Sequence, residues 1–500
     1  LTYHNDALRT ALNPAEIALT PANVNASNFG KLGEVPVDGM IDAQPLYVAQ
    51  LAVGAARHNV LYVATQNDTV YAFDADSFNG NAATVLWQAS LLSASETAVP
   101  PGDLVVCPGN NVLNGIMATP VIDRARNAIY VVAFSENSAR QFSYRLHALD
   151  LTSGKELFGG PVAIQAQYPG SGGNSSGGVV TFDPAVHQAR AALLADSGHI
   201  TIAWGARSGD CGNYSSWVMR YDATTLAQTS VINLVPNDRG AGIWMSGAGP
   251  AMDASGDIYL ATGNAYPVSG DATPATGSYA NAVVRLSGGG ALQLVDYFAP
   301  ANEGLLNAND LDLGGGGVLL LPDQADATGA LRHLAVLAGK DGNIYLVDRD
   351  NLGHFNTSSN AVVQKVDGQL GGQEFRSAPA WFNGRVYFAA AADPLKAFKL
   401  NSAQLSAAPV SQSAHAFANG VPVISANGSR DGVIWVDEGG PGVLYAYDAA
   451  DLGHLLYSSD QAPANRDQFG RSDRPKTPLV VNGRVYLGTS YSIAAFGLLH

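Results

Sequence analysis

Two loops in the second half of the 500-residue chain carry a carboxylate and an ammonium. In NANDLDLGGGG (307–317), Asp312 stands before a run of glycines. In LAGKDGNIYLVDRDNLG (337–353), Lys340 stands before an alternating apolar run. A positioned carboxylate can act as a general base. The plainer reading makes Asp312 a loop carboxylate capping a glycine turn and Lys340 a solvated turn lysine. Asn264, in DIYLATGNAYP (257–267), fits a Gly-Asn turn. Trp244, in GIWMSGAGP, fits a filler between repeats. Asp210 lies in ARSGDCGNYSSWVMRYD (206–222), Asp42 in GMIDAQPL and Asn114 in VVCPGNNVLNGIMATP.

Other chemistries lack their motifs. There is no GxSxG elbow, no HExxH and no GxxxxGK[ST] loop. GGGG at 314–317 has no Lys-Ser after it. The ten histidines are dispersed, and His147 in RLHALD reads as a packed strand residue. DADSFNG (74–80) has the look of a calcium loop, but turn chemistry explains it better. The two cysteines, Cys107 and Cys211, make neither a zinc site nor a CxxCH haem attachment, so no covalent haem is expected.

The elements that must position these residues form a repeat. NVLYVATQNDTVYAFDAD (59–76) reads as a strand, a turn at Asn67-Asp68 and a second strand. Its pattern returns in GDIYLATGNA, GNIYLVDRDNLG, GRVYFAAAAD and GVLYAYDAADLG. The unit is roughly 45 to 65 residues long. Eight first strands can be marked: AQPLYVA (43–49), MATPVID (117–123), GVVTFDP (178–184), GAGPAMD (247–253), GGVLLLP (316–322), SAPAWFN (377–383), VPVISAN (421–427) and KTPLVVN (476–482). The last unit stops after its third strand, and FGKLGEVPV (29–37) is a spare strand near the start.

This predicts an all-β fold, an eight-bladed β-propeller of four-stranded antiparallel blades, with the N-terminal strand closing the last blade. It would be a single domain over 1–500, with an opening segment and closing strand at 1–38 and blades over 39–500. Two β-sandwiches are the alternative. YPGSGGNSSGG (168–178) reads as a surface loop.

Composition narrows the function. A net charge of -15 and a pI near 4.9 argue against nucleic acid as a partner. No uninterrupted apolar stretch has membrane-spanning length. The opening LTYHNDALRT reads as a processed mature start, which predicts a secreted or periplasmic location.

The repeat resembles the pyrroloquinoline quinone (PQQ) propeller superfamily, which includes quinoprotein alcohol dehydrogenases and catalytically silent relatives. The likeness covers nearly the whole chain, and residues 3–48 resemble the dehydrogenases' opening segment. It implies a central site holding PQQ and Ca²⁺. NANDLDLGGGG resembles the family's HDxWD segment, with Asn309 in place of His and Leu311 in place of Trp. Asp312 then matches the catalytic base and also stands near the metal. Lys340 matches the basic residue that contacts the quinone oxygens.

Asn264 matches a metal-ligating Asn, Trp244 the indole that stacks on the quinone, and Asp210 a metal-ligating Glu. Asp42 stands where the family has a Glu before APL. Asn114 replaces the Arg that pairs with a quinone carboxylate, and an Asn cannot supply that fork. The family's adjacent cysteine pair is absent. Cys107 and Cys211 lie in loops of one face of the implied ring, so a disulfide between them is expected.

Three functions follow. One is an exported PQQ- and Ca²⁺-dependent dehydrogenase oxidising a small-molecule alcohol or sugar and passing electrons to an external acceptor. The second is a silent propeller serving as a binding or scaffold module, which the missing cysteine pair and Arg support. The third is a polysaccharide-active propeller enzyme.

Overall fold

The computed structural model describes residues 1–104, 113–196, 198–207, 210–268, 272–371, 377–440, 442–472, 474 and 476–499. The fold is all-β. Among the described residues, eight sheets of four or five strands follow one another along the chain, and four smaller sheets lie beside them.

The first large sheet shows why the repeat is so apolar. Ala56–Ala64 pairs with Thr69–Asp74 in antiparallel register, Val60 opposite Asp74 and Ala64 opposite Val70. The turn between them closes with Thr65 N–H donating to Thr69 O at 2.9 Å, and Asp68 takes a left-handed φ of 54°, which Asp tolerates better than most residues. Val60, Tyr62 and Ala64 pack with Ile129 and Val131 of the second sheet. Leu61 and Val63, on the other face, pack with Tyr486, Ile493 and Ala495 of the last sheet. Both faces are covered, so the strand reads as a continuous apolar run rather than a polar alternation.

The tyrosine of the repeat has a recurrent task. Tyr62 donates to Leu151 O (2.8 Å), Tyr130 to Ala223 O (2.6 Å), Tyr387 to Ala449 O (2.8 Å) and Tyr486 to Ala75 O (2.8 Å). Each hydroxyl crosses to the turn after the third large strand of the next sheet, and Tyr486 crosses from the last sheet to the first. Tyr259 and Tyr345 depart from this and bond Asp253 and Asp341 within their own sheets.

The expected pairing of the spare strand is present: Phe29–Pro36 pairs antiparallel with Ser492–Leu498, outside Arg484–Gly488 and Leu479–Val481.

The third first strand differs from expectation. Leu194–Ala195 occupies that place, beside His199–Ala203. Val179–Thr181, within GVVTFDP, joins Gln167–Pro169 and Ser175–Ser176 in a small side sheet. The segment expected to be a plain surface loop is therefore partly strand. The true inner strand escaped because only two residues of it pair.

Residues 1–13 form a belt across the inner strands. Ile122 N–H donates to Leu1 O, Met252 to Ala7 O, Leu320 to Leu8 O, Trp381 to Thr10 O and Ile424 to Ala11 O, at 2.8–3.0 Å. Thr2 Oγ1 donates to Leu193 O at 2.8 Å, and Asn13 Nδ2 to Val480 O at 2.9 Å. The segment so meets the second to the eighth large sheets in chain order. Its curl uses left-handed φ angles at His4, Asn5, Arg9 and Ala11. Each costs on the order of 1 kcal/mol and persists because the strand donors fix it. Arg9 is fully buried and donates to Pro250 O (2.8 Å) and Tyr3 O (2.8 Å), binding the belt to itself and to the fourth sheet.

Candidate functional site

Gly263 shows how two predicted residues come together. A Cβ placed there would meet Asp312 Oδ1 at 2.2 Å and Trp244 Cδ1 at 3.1 Å. The glycine therefore lets the carboxylate and the indole close on one stretch of backbone. Trp244 also lies against Gly205 and Gly242, where an added Cβ would meet its ring at 3.1 and 2.7 Å. Tyr214 meets the indole edgewise, with ring centroids 6.2 Å apart.

Asp312 ends the loop that follows the short helix Glu303–Ala308 and is buried. Its Oδ1 accepts the Asn264 N–H at 2.8 Å. Its Oδ2 is 2.6 Å from Lys340 Nζ, and Lys340 N–H donates to Asp312 O at 3.0 Å. Lys340 Nζ also lies 3.3 Å from Asp310. Asn264 Nδ2 donates to Asp310 at 2.6 Å, and its Oδ1 accepts from Asn281 Nδ2 at 3.0 Å. Asn281 Oδ1 accepts the Leu313 N–H at 2.8 Å, which fixes the turn after Asp312. Asp210, with a left-handed φ of 50°, accepts from the Tyr214 hydroxyl at 2.7 Å.

Acids outnumber bases here. Burial raises the Asp312 carboxyl above its ordinary value, and Lys340 only partly offsets this. Asp210 is pushed up to about 6, first by burial and then by the charges of Asp312 and Asp310. Burial works against the Lys340 ammonium, yet Asp312 and Asp310 outweigh it and raise its pKa. Tyr266 is pushed up to about 12 by burial and by the same three carboxylates. Asp210, Asp310 and Asp312 thus share one field with a single lysine.

The structure brings Asp312, Lys340, Asn264, Asp210 and Trp244 together from the third, fourth and fifth sheets and the loops that lead into the last two. Asp42 belongs to a separate cluster. Lys476 Nζ and Gln66 Nε2 both donate to its carboxylate. Burial would raise it, but Lys476 and Arg474 hold it well below the usual carboxylate range. Lys476 N–H donates to Asp437 at 2.8 Å. Asn114 is buried and donates both its backbone N–H (2.8 Å) and its Nδ2 (3.3 Å) to Val99 O. Cys107 lies outside the described residues, and its pairing with it. No free cysteine is present among the described residues.

His147 is buried, with Nδ1 2.5 Å from Glu156. Asp310, Asn281 and Tyr214 were not singled out in the sequence. Asp310 lies inside the quoted loop, two residues before Asp312. Asn281 carries no motif signal.

A cavity of about 50 Å³ lies beside this site. Ser246 and Gly247 form part of its wall, and Ser246 donates to Gly315 O at 2.6 Å, in the turn after Asp312. Asp42, Tyr3 and Thr119 line it too. No group of three or more His, Cys, Asp or Glu poised to hold a metal is formed among the described residues.

No protein-family profile matches the chain, and no curated protein matches it. Solved structures do. The quinohemoprotein alcohol dehydrogenase from Comamonas testosteroni matches with a TM-score of 0.63 and 16% identity, over 99% of this chain and 80% of that one. A europium-containing methanol dehydrogenase matches with a TM-score of 0.59 and 12% identity, over 98% and 96%. BamB from Moraxella catarrhalis matches with a TM-score of 0.51 and 13% identity, over 94% and 98%. The chain has the PQQ-like β-propeller fold of these proteins.

Proposed function

We propose that this chain is a quinoprotein dehydrogenase, using PQQ and Ca²⁺ to oxidise an alcohol or sugar. The observation that carries the reading is the Asp312–Lys340 pair, with Asn264 and Trp244 against the same glycine. These residues come from different sheets, and a ring of eight blades closed by Phe29–Pro36 would hold them on its axis. Asp210, Asp310 and Asp312 share one field with a single opposing lysine, and a hard divalent cation would relieve the excess negative charge, although among the described residues no three carboxylates stand close enough to hold one as they are.

Asp210 and Asn264, with Asp312 at the margin, would hold the cation. Lys340 would hold quinone oxygens, and Trp244 would lie beneath the ring. When bound, PQQ supplies the acceptor for a hydride and Ca²⁺ supplies a Lewis acid. Asp312 takes the substrate hydroxyl proton. Its oxygens are oriented by the Asn264 N–H and Lys340, and each retains a second lone pair for that proton. Burial makes the carboxyl a stronger base than a free aspartate.

The electrons would pass to an external acceptor. Export and a Cys107–Cys211 bridge belong to this reading. The test is an absorbance spectrum after incubation with PQQ and Ca²⁺, followed by dye reduction with a panel of alcohols and sugars. A quinone spectrum that survives gel filtration, with substrate-dependent reduction, supports the proposal. No retained quinone at saturating Ca²⁺ ends it.

A second reading rests on one observation. Asp312, Lys340, Asn264 and Asp210 already pair with one another or with Tyr214, and the adjacent cavity is about 50 Å³. That arrangement favours a propeller that binds a partner without a redox cofactor.

A further inference from the structure

The stretch that brings Asn264 into the site continues as the short strand Ala265–Tyr266, paired with Arg239–Gly240. Residues two apart lie on one face of an extended chain, and the Tyr266 hydroxyl stands in the field of Asp210, Asp310 and Asp312. Its register partner is Arg239, whose guanidinium carbon lies 4.7 Å from the centre of the Tyr266 ring. Gly240, at a positive φ of 101°, permits this approach: a Cβ there would meet Asn264 O at 2.7 Å and Tyr266 Cδ2 at 3.2 Å.

Arg239 is held in place without being neutralised. Its stem packs against Gly173 of the small side sheet, where an added Cβ would meet Arg239 Cβ at 3.2 Å, and Gly173 N–H donates to Asp238 O at 3.3 Å. Asp238, next to it in the chain, is buried and accepts the Val268 N–H at 3.3 Å. Among the described residues the guanidinium makes neither an ion pair nor a hydrogen bond, and it is only half-buried. A stacked guanidinium has its plane fixed and keeps its N–H fork for a planar acceptor such as a carboxylate. The sign of charge so reverses along one phenol, with a cation over its face and three carboxylates acting at its hydroxyl.

We propose that Arg239 is a specificity-determining residue that binds the carboxylate of a hydroxy acid, while the substrate's hydroxyl reaches inward to Asp312. The hydroxyl's place at Asp312 rests on the dehydrogenase reading; the carboxylate's place on Arg239 does not. The charges fix the direction of entry. Asp210, Asp310 and Asp312 repel a carboxylate that enters first, so the substrate's anion stays outside. The guanidinium lies over the ring and the acids act at the hydroxyl end, so the substrate must span that length. Its hydroxyl and carboxylate therefore stand at opposite ends, as in an ω-hydroxy acid or an aldonic acid.

The probes are ω-hydroxyhexanoate and the matching α,ω-hexanediol, which share chain length and hydroxyl and differ in the carboxylate. Both are titrated calorimetrically into the full chain in Ca²⁺ buffer at constant ionic strength. Both are also offered in dye reduction after loading with PQQ and Ca²⁺. The hydroxy acid should be preferred by roughly tenfold or more, and Arg239→Gln should erase the preference. Arg239→Lys keeps the charge and gives up the fork, so it should retain a preference of roughly threefold, which keeps the test open if the glutamine variant does not fold.

A preference in dye reduction that Arg239→Gln abolishes supports the site and the oxidation together. An Arg239-dependent preference in binding, with no dye reduction, supports the site and rejects the dehydrogenase. Dye reduction with equal kcat/KM for acid and diol, or with a preference that Arg239→Gln leaves intact, overturns the site and spares the dehydrogenase. Glycolate oxidised as well as ω-hydroxyhexanoate would overturn the end-to-end span. With no dye reduction, binding that is absent, equal for the two probes or indifferent to Arg239 overturns both.

Discussion

At the scale of single residues, the site is a contest between burial and pairing. Asp312 is held by Lys340 and the Asn264 N–H, so its orientation survives loss of charge better than its basicity does. Asp312→Asn should lower dye reduction by roughly 10²–10⁴-fold and leave retained quinone, read by absorbance after gel filtration, nearly unchanged. Equal losses in both would assign Asp312 to binding.

Asp210 makes a pH-dependent prediction. Its folded pKa is pushed up to about 6 from 3.8. Between those values the unfolded chain has released its proton and the folded chain has not. Stability therefore falls as pH rises through that window and stays lowered above it. Asp210→Asn should then be more stable than the parent at pH 7.5, by up to about 3 kcal/mol, and equal to it near pH 3.5. Denaturant unfolding at the two pH values reads this. A variant less stable at pH 7.5 would show that the Tyr214 contact outweighs the burial of charge. Ca²⁺ should stabilise the parent and stabilise the variant less.

At the scale of elements, the repeat was legible and its exceptions were not. GRVYLGTS could be read as a strand because both of its faces are apolar, and FGKLGEVPV as the last unit's missing fourth strand, beside Ser492–Leu498, because that unit stops after its third. GVVTFDP has the same local pattern and pairs elsewhere, since strand propensity does not choose a partner. The belt gave no signal. It has neither two-residue nor 3.6-residue periodicity, and its left-handed positions fall on His4, Asn5, Arg9 and Ala11 rather than on glycine.

Of the site, Asp312, Asp210 and Lys340 were legible through the resemblance of their motifs. Asp310 and Asn281 became visible only through geometry. Arg9 is where the belt can be tested. Its guanidinium is fully buried and donates to carbonyls and to Thr2 Oγ1. Arg9→Met keeps the bulk and strands those acceptors, and should cost about 2–4 kcal/mol. The measurement is urea unfolding, with the m-value unchanged if the sheets themselves remain intact.

At the scale of the molecule, the first and last sheets share a core, and Tyr486 reaches across to Ala75 O. A Cys107–Cys211 bridge would link the second sheet's approach loop to the third sheet. Thiol titration of the denatured, unreduced protein should find no reactive thiol, and two titratable thiols would dismiss the bridge. The hydrophobic surface of each sheet is divided between two neighbours, so no sheet owns a core of its own. Stability is accordingly a property of the set, and a change in one sheet is felt by the sheets on both sides.

The belt adds a constraint on time. Residues 1–13 find their hydrogen-bond partners on seven sheets, donors on five of them and acceptors at Leu193 and Val480. The stretch is made before the sheets it joins and is seated after them, because its docking positions do not coexist until the final sheet has formed. Until then its carbonyls must wait in water. Amide exchange at Ile122, Met252, Leu320, Trp381 and Ile424, whose N–H groups the belt receives, would time that final step, and a chain halted before Val480 would hold a belt with nothing to fasten.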